Sequence, residues 1–310
     1  MTEAFGDRLA SAVEARASQL VVGLDPDPAR LWPRAYQLAA QAGDKAGGSA
    51  ASRAASAVAA HCALVIEAVA DHAVAVKPQV ACFERLGSPG WASLAETVHR
   101  ARERGLLVLA DAKRGDIDVT AAAYAQAYLG TTPTPYGEVE GLGADAVTVN
   151  PLLGADSLEP LVRAAREHGA GIFALVRTSN RGAADLQDRR LESGLTVSEL
   201  LAELVRRLGL EGVGRAGLSD VGAVVGATAP ERLARLRGLM PHTIFLLPGV
   251  GAQGGRVEDL GAARGVHAAS ALISASRSIV AAGEEHGGDP AAAAAAQAAR
   301  LRDLAWSLGG

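Results

Sequence analysis

Short apolar runs recur along the chain, each closed by turn residues and followed by a stretch of helical period. Eight stand out: LVVGLD (20–25), AVAVKPQ (73–79), LLVLADAK (106–113), DAVTVN (145–150), GIFALVRT (171–178), GAVVGAT (222–228), TIFLLPG (243–249) and AASALISAS (268–276). They carry Val, Leu, Ile and Ala on both alternating faces, as parallel strands covered by helices do. Between them the pattern predicts helices over 52–72, 91–105, 156–169, 196–209 and 229–240. The second ends on Gly105, a suitable C′ residue. The third opens with Asp156 and Glu159 in capping-box spacing, which makes Asp156 the expected N-cap. Eight strands alternating with helices predict an α/β fold, a single (β/α)8 TIM barrel spanning residues 1–310 with extra N- and C-terminal helices. The tail 291–308 is Ala-rich with high helix propensity and reads as the closing helix. An open doubly wound sheet is the alternative, but it does not call for eight strands. Two segments exceed a minimal barrel. Residues 26–51 read as a surface insertion and GTTPTPYGEVEGLG (130–143) as a Pro/Gly loop.

Composition narrows the class. About half the residues are hydrophobic, enough for a large core, and the formal charge of −4 comes from interspersed acids and bases. No basic block or basic–aromatic stripe suggests nucleic acid. The N-terminus has no apolar signal core, and no apolar run approaches the ~18 residues of a membrane span, so the expectation is a cytoplasmic protein without membrane contact. Cys62 and Cys82 form no metal-type or CxxC spacing and read as reduced thiols. His72, His99, His168 and His286 fall on or near polar helix faces, and His242 and His267 also read as surface residues.

Chemistry is expected at the C-terminal ends of barrel strands. There the chain places Asp25, then Lys77, then Asp111, Lys113 and Asp116, Asn150, Thr178–Asn180, Thr228, the turn PGVGAQGG (248–255), and Ser276 with Arg277. Alternation puts Asp111 and Lys113 on one face, the barrel interior, where charges are costly unless paired. A purely structural ion-pair network is the competing reading. It gives little reason to gather several charges at the barrel mouth. Glycines in 248–255 let backbone N–H groups approach an anion. An arginine after the eighth strand completes the phosphate site that recurs after the last two strands of such barrels. No Ser/His/Asp or Cys/His set suggests a nucleophilic triad, and GxGxxG is absent after the first strand. The residues together suggest a phosphorylated small molecule with its reacting end over Lys113.

Lys77, the Asp111-x-Lys113-x-x-Asp116 run, TSNRGAADLQ (178–187), VVGATAPERL (224–233), PGVGAQGG and SASRSI (274–279) occur in order, each at its own strand end. This set resembles the orotidine 5′-phosphate decarboxylase family, and the longer chain resembles its second bacterial subgroup. The resemblance spans roughly residues 20–280. It implies decarboxylation of orotidine 5′-monophosphate to UMP in pyrimidine biosynthesis, without metal or organic cofactor, by a homodimer. It assigns a charged tetrad to Lys77, Asp111, Lys113 and Asp116, with Lys113 protonating C6 and Asp111 facing the substrate carboxylate. Asp116, Ile117 and Thr120 match residues given to the partner's site. Asp25 and Lys77 match ribose-binding positions, Ser179 a pyrimidine contact, and Gln253 and Arg277 the phosphate clamp. Arg114 and Gly115 fill the two variable positions, and Arg114 is expected to point away. Two alternatives remain. One is a Mg-dependent sugar-phosphate decarboxylase or synthase of the same barrel, which carries a metal-binding Glu where this chain has Lys77. The other is a non-catalytic nucleotide sensor, for which a buried proton donor such as Lys113 has no use.

Overall fold

Strands that are apolar on both faces need cover on both sides, and here the sheet closes on itself inside a ring of helices. The computed structural model describes residues 2–43, 48–283 and 288–308. Its strands are β1 (Leu20–Leu24), β2 (Ala75–Pro78), β3 (Leu107–Arg114), β4 (Thr131–Thr134), β5 (Gly137–Glu140), β6 (Ala146–Val149), β7 (Gly171–Arg177), β8 (Val221–Val225), β9 (Phe245–Pro248) and β10 (Ala271–Ala275). All but β4 and β5 form one closed parallel barrel, in the cyclic order β1-β2-β3-β6-β7-β8-β9-β10. The eight predicted runs are the eight barrel strands. The last run is shorter as a strand than in sequence, because Ala268–Ser270 forms a 3₁₀ turn before it.

The helices are α1 (Phe5–Arg16), α2 (Pro33–Gly43), α3 (Ala50–Val69), α4 (Val80–Glu84), α5 (Ser88–Glu103), α6 (Asp118–Leu129), α7 (Ala155–His168), α8 (Ala183–Leu186), α9 (Val197–Gly209), α10 (Pro230–Leu239), α11 (Arg277–Val280) and α12 (Pro290–Ser307). One hydrophobic layer lies between the barrel and these helices. A second fills the barrel interior, where Phe5, Leu9 and Val13 of α1 pack onto Val21, Leu109, Phe173 and Leu272. Phe5 meets Phe173 edge to face at 6.1 Å. Asp7 of α1 accepts the backbone N–H groups of Arg215 and Ala216 at 3.1 and 2.7 Å. Thus α1 plugs the N-terminal end of the barrel and leaves the opposite end open for chemistry.

Several expectations are corrected. Asp156 is not an N-cap: Asn150 caps the preceding 3₁₀ turn, the chain turns at Gly154 (φ 102°), and α7 begins at Ala155 with no side-chain cap. The capping box belongs to α9, where Thr196 and Glu199 satisfy each other's backbone N–H. Gly105 does adopt the left-handed C′ conformation (φ 68°). Its N–H bonds to Arg102 and that of Leu106 to Ala101, both at the end of α5. Residues 130–143 are more than a loop: β4 and β5 pair antiparallel, and Pro133 is tolerated because the two-stranded ribbon has free edges. Segment 26–51 is only partly surface, since Leu31, Trp32 and Ala35 enter the outer core; its residues 44–47 lie outside the described residues, as does His286. Helix α3 is long and apolar enough to cross a membrane by length and composition, contrary to expectation. It packs against α2, α5 and α12, and that core position accounts for its composition. His242 and His267 are half-buried: His242 bonds Gly217 O, and His267 bonds Glu14 and the Ala269 N–H.

Candidate active site

The open end gathers its charge around one carboxylate. Asp111 lies on β3, between β2 and β6. Lys77 Nζ donates to its Oδ2 at 2.7 Å and Gln79 Nε2 to the same oxygen at 3.2 Å. Lys113 Nζ donates to Oδ1 at 2.6 Å and the Thr148 hydroxyl to Oδ1 at 2.9 Å. Asp111 and Lys77 are 8% and 7% exposed. Burial pushes the Asp111 carboxyl up, but Lys77 and Lys113 outweigh it and hold the group well below the usual carboxylate range. Burial pushes Lys77 down, and Asp111 with Asp25 more than restores it, so its ammonium titrates above the ordinary lysine value. Asp111 and Lys77 are therefore both ionised across the neutral range. Lys113 differs from Lys77 in access: its side chain is 45% exposed.

The backbone aims Lys113. Pairing between β3 and β6 shifts register between Ala110 and Arg114, a bulge of the kind that re-aims a side chain. Lys113 takes φ 51°, a left-handed conformation that costs a non-glycine residue about 1–3 kcal/mol. Its N–H is held by Thr148 Oγ1 at 2.9 Å, and Asn150 N–H bonds Arg114 O at 2.8 Å. Arg114 turns away from the cavity. Its guanidinium bonds Glu84 of α4 and Ala112 O, and lies 5.6 Å from the Tyr124 ring and 5.8 Å from that of Tyr128.

A cavity of about 450 Å³ opens above this cluster, and Asp25, Lys77, Asp111 and Lys113 border it on one side. Ser179, Gln253 and Arg277 border it as well. Leu175, Val224 and Leu246 supply apolar walls. Gly249 (φ 101°) sits where a Cβ would come within 3.1 Å of Ser179 Cβ and 3.3 Å of Gln253 Oε1. Glycine thus lets the 248–255 turn close onto the loop after β7. Seven of the ten expected site residues share this cavity. Asp116, Ile117 and Thr120 do not: Asp116 accepts the Ile117 N–H at 2.8 Å, and Ile117 and Thr120 face solvent within the single chain. Sequence reasoning missed Gln79 and Thr148. Both were findable by alternation, since Gln79 is two residues from Lys77 and Thr148 is the polar inward position of an apolar run. Among the described residues no three of His, Cys, Asp and Glu come together as a metal site.

A model of the "Orotidine 5′-phosphate decarboxylase / HUMPS" family matches residues 18–296. The chain belongs to that family. An orotidine 5′-phosphate decarboxylase of Rhodopirellula baltica is 43% identical over 89% of this chain and 88% of its own length. One of Deinococcus radiodurans is 44% identical over 90% of each. The solved OMP decarboxylase of Leishmania donovani is 32% identical, covers 97% of this chain and 99% of its own, and superposes with a TM-score of 0.71. Within this family member, the Asp111 cluster and the Gln253–Arg277 loops line a single cavity.

Proposed function

We propose that the chain decarboxylates orotidine 5′-monophosphate to UMP and CO2, a step of pyrimidine biosynthesis, with Lys113 as the proton donor to C6. The observation that carries this reading is one buried carboxylate shared by two lysines in a cavity large enough for a nucleotide. Breaking the C6–carboxylate bond leaves an electron pair on C6 that the ring delocalises poorly. Lys113 Nζ places a positive charge beside that pair and then transfers a proton to it, so substrate plus one proton gives UMP plus CO2. Asp111 faces the departing carboxylate and repels it in the ground state, a repulsion relieved as CO2 leaves. Ser179 positions the pyrimidine, Asp25 and Lys77 the ribose, and Gln253 and Arg277 the phosphate. Their binding energy, remote from C6, orients the ring. The cationic work is assigned to lysines rather than a metal. In a Mg-dependent relative a Glu would stand at Lys77, and an ammonium there, already committed to Asp111, repels a divalent ion.

We further propose a cytoplasmic homodimer in which Asp116, Ile117 and Thr120 complete the partner's site. Ile117 and Val119, 51% and 83% exposed beside the cavity mouth, support this, because such apolar exposure calls for cover. Both cysteines are free thiols, which suits a reducing compartment.

The test is ultraviolet absorbance of orotidine 5′-monophosphate with purified, EDTA-treated protein. Loss of the orotate chromophore with UMP as product is expected, and Lys113→Ala is expected to abolish turnover while still binding UMP. A folded protein that binds UMP without turnover is a sensor. Turnover of a sugar phosphate only after Mg²⁺ is added identifies the sister chemistry.

A further inference from the structure

A second cavity, of about 290 Å³, adjoins the first and shares Asp25, Ser276 and Arg277 with it. It is built by the chain after β1, by α3 and by the segment after β10, so it lies beyond the Arg277 end of the main cavity. At its inner side is His61, only 4% exposed. The Trp32 N–H donates to His61 Nδ1 at 3.2 Å, which fixes the tautomer that carries its proton on Nε2. Nε2 has no hydrogen-bond partner among the described residues. The Trp32 indole stands edge-on to His61 at 5.3 Å and is itself anchored by its N–H to Val280 O at 3.0 Å. The imidazole is thus a rigid, prepaid donor. Burial holds it neutral by pushing its pKa down to about 4.

The rim is charged, with two arginines and two aspartates. Arg30 and Arg277 border the cavity, and neither guanidinium has an ion-pair or hydrogen-bond partner among the described residues. Of the two carboxylates on the rim, Asp27 pairs with Arg85 at 3.7 Å and accepts the Ala29 N–H at 3.2 Å. The other, Asp25, acts on the buried Lys77 ammonium. Two unpaired guanidinium groups and one buried N–H donor around one cleft are a donor set for a phosphoryl group.

We propose that this side cavity takes a second phosphoryl group. A pyrimidine nucleoside 5′-diphosphate would place its α-phosphate at the Arg277 end of the main cavity and its β-phosphate against Arg30 and His61 Nε2, blocking the site as a competitive regulator. The inference rests on the decarboxylase reading in taking Arg277 as the phosphate end.

The experiment is calorimetric titration of UMP, UDP and inorganic phosphate into wild type, Arg30→Met and His61→Asn, with orotidine 5′-monophosphate turnover recorded on the same samples. Asn at position 61 keeps an acceptor for the Trp32 N–H and removes the Nε2 donor. UDP is expected to bind wild type at least as tightly as UMP and to weaken about tenfold in each variant. UMP affinity and turnover should stay within about twofold, because neither Arg30 nor His61 lines the main cavity. Phosphate uptake by UMP-saturated protein, lost in Arg30→Met, would uphold the second phosphoryl site with a free anion as its occupant. UDP bound about tenfold more weakly than UMP, or unchanged in both variants, with no phosphate uptake, overturns the proposal. If the UDP pattern holds but no sample turns over substrate, the decarboxylase reading fails and the site stands.

Discussion

Asp111→Asn keeps the shape of the side chain and removes the charge that both lysines face. Four donors converge on the two carboxylate oxygens. An amide offers one oxygen, and its NH2 must point a donor at donors. Lys113, with nearly half its side chain exposed, can turn to water, so losing its pair costs less than about 1 kcal/mol. Lys77 is 7% exposed and has no such exit. Removing one partner of a buried pair costs about 3–5 kcal/mol. Asp25 still acts on Lys77, which puts the expected destabilisation at the low end, about 3 kcal/mol. The pH dependence has a definite sign. Asp111 titrates below its unfolded value of ~3.9, so its stabilisation is present above that value and is lost as pH falls through the lower folded value. Lys77 titrates above its unfolded value of ~10.4, so its share is present below that and is lost as pH rises through the folded value. The cost of Asp111→Asn is therefore greatest from about pH 5 to 9 and shrinks in acid. Urea unfolding followed by tryptophan fluorescence at about pH 7 and about pH 3.5 measures it. A cost below about 1 kcal/mol at neutral pH, or a larger cost in acid, would refute the reasoning.

Two other predictions concern how the cluster is positioned and completed. Arg114→Met or Glu84→Gln should lower kcat about tenfold or more by loosening the β3 bulge that aims Lys113, with KM and UMP affinity unchanged. The double variant should be no worse than either single one, whereas a rise in KM with kcat intact removes the positioning role. Mixing inactive Lys113→Ala with inactive Asp116→Ala should restore roughly a quarter of wild-type turnover, since a mixed dimer regains one intact site. No recovery on mixing would place Asp116 in its own chain's site.

The barrel was legible because eight doubly apolar runs have few other ways to be covered, and the site was legible because ionised groups at strand ends need a reason to be there. What escaped the sequence depends on neighbours across the fold. The four donors on Asp111 come from β2 and the residue just after it, from β3 and from β6, and only the closed strand order makes those three strands adjacent. Arg237 looks like one more basic residue of a surface helix. In the structure it is buried over the Phe245 ring at 3.7 Å and donates to the carbonyls of Met240, Thr243, Ala263 and Ser270. His61, in an Ala-rich helix far in sequence from any strand end, acquires a role only because Trp32 fixes its tautomer. Asp116 fits the motif spacing yet stays outside the cavity, because by then the chain has left β3 through Gly115 and is entering the turn that opens α6 at Asp118.

The two lysines on Asp111 are chemically alike, and access separates their tasks. On the proposed reaction, Lys113 loses a proton at each turnover and must regain one. Its partly exposed ammonium can do so from solvent, while Lys77 cannot. When Lys113 is momentarily neutral, Asp111 keeps Lys77, Gln79 and Thr148 as donors, so the carboxylate remains charged and fixed. Thr148 also keeps the Lys113 backbone N–H, so the donor's main chain holds its place through the cycle. A carboxylate with Lys113 as its sole partner would be left buried and uncompensated at the moment of proton transfer. Lys77, held on the other carboxylate oxygen, keeps a positive charge beside Asp111 through that step.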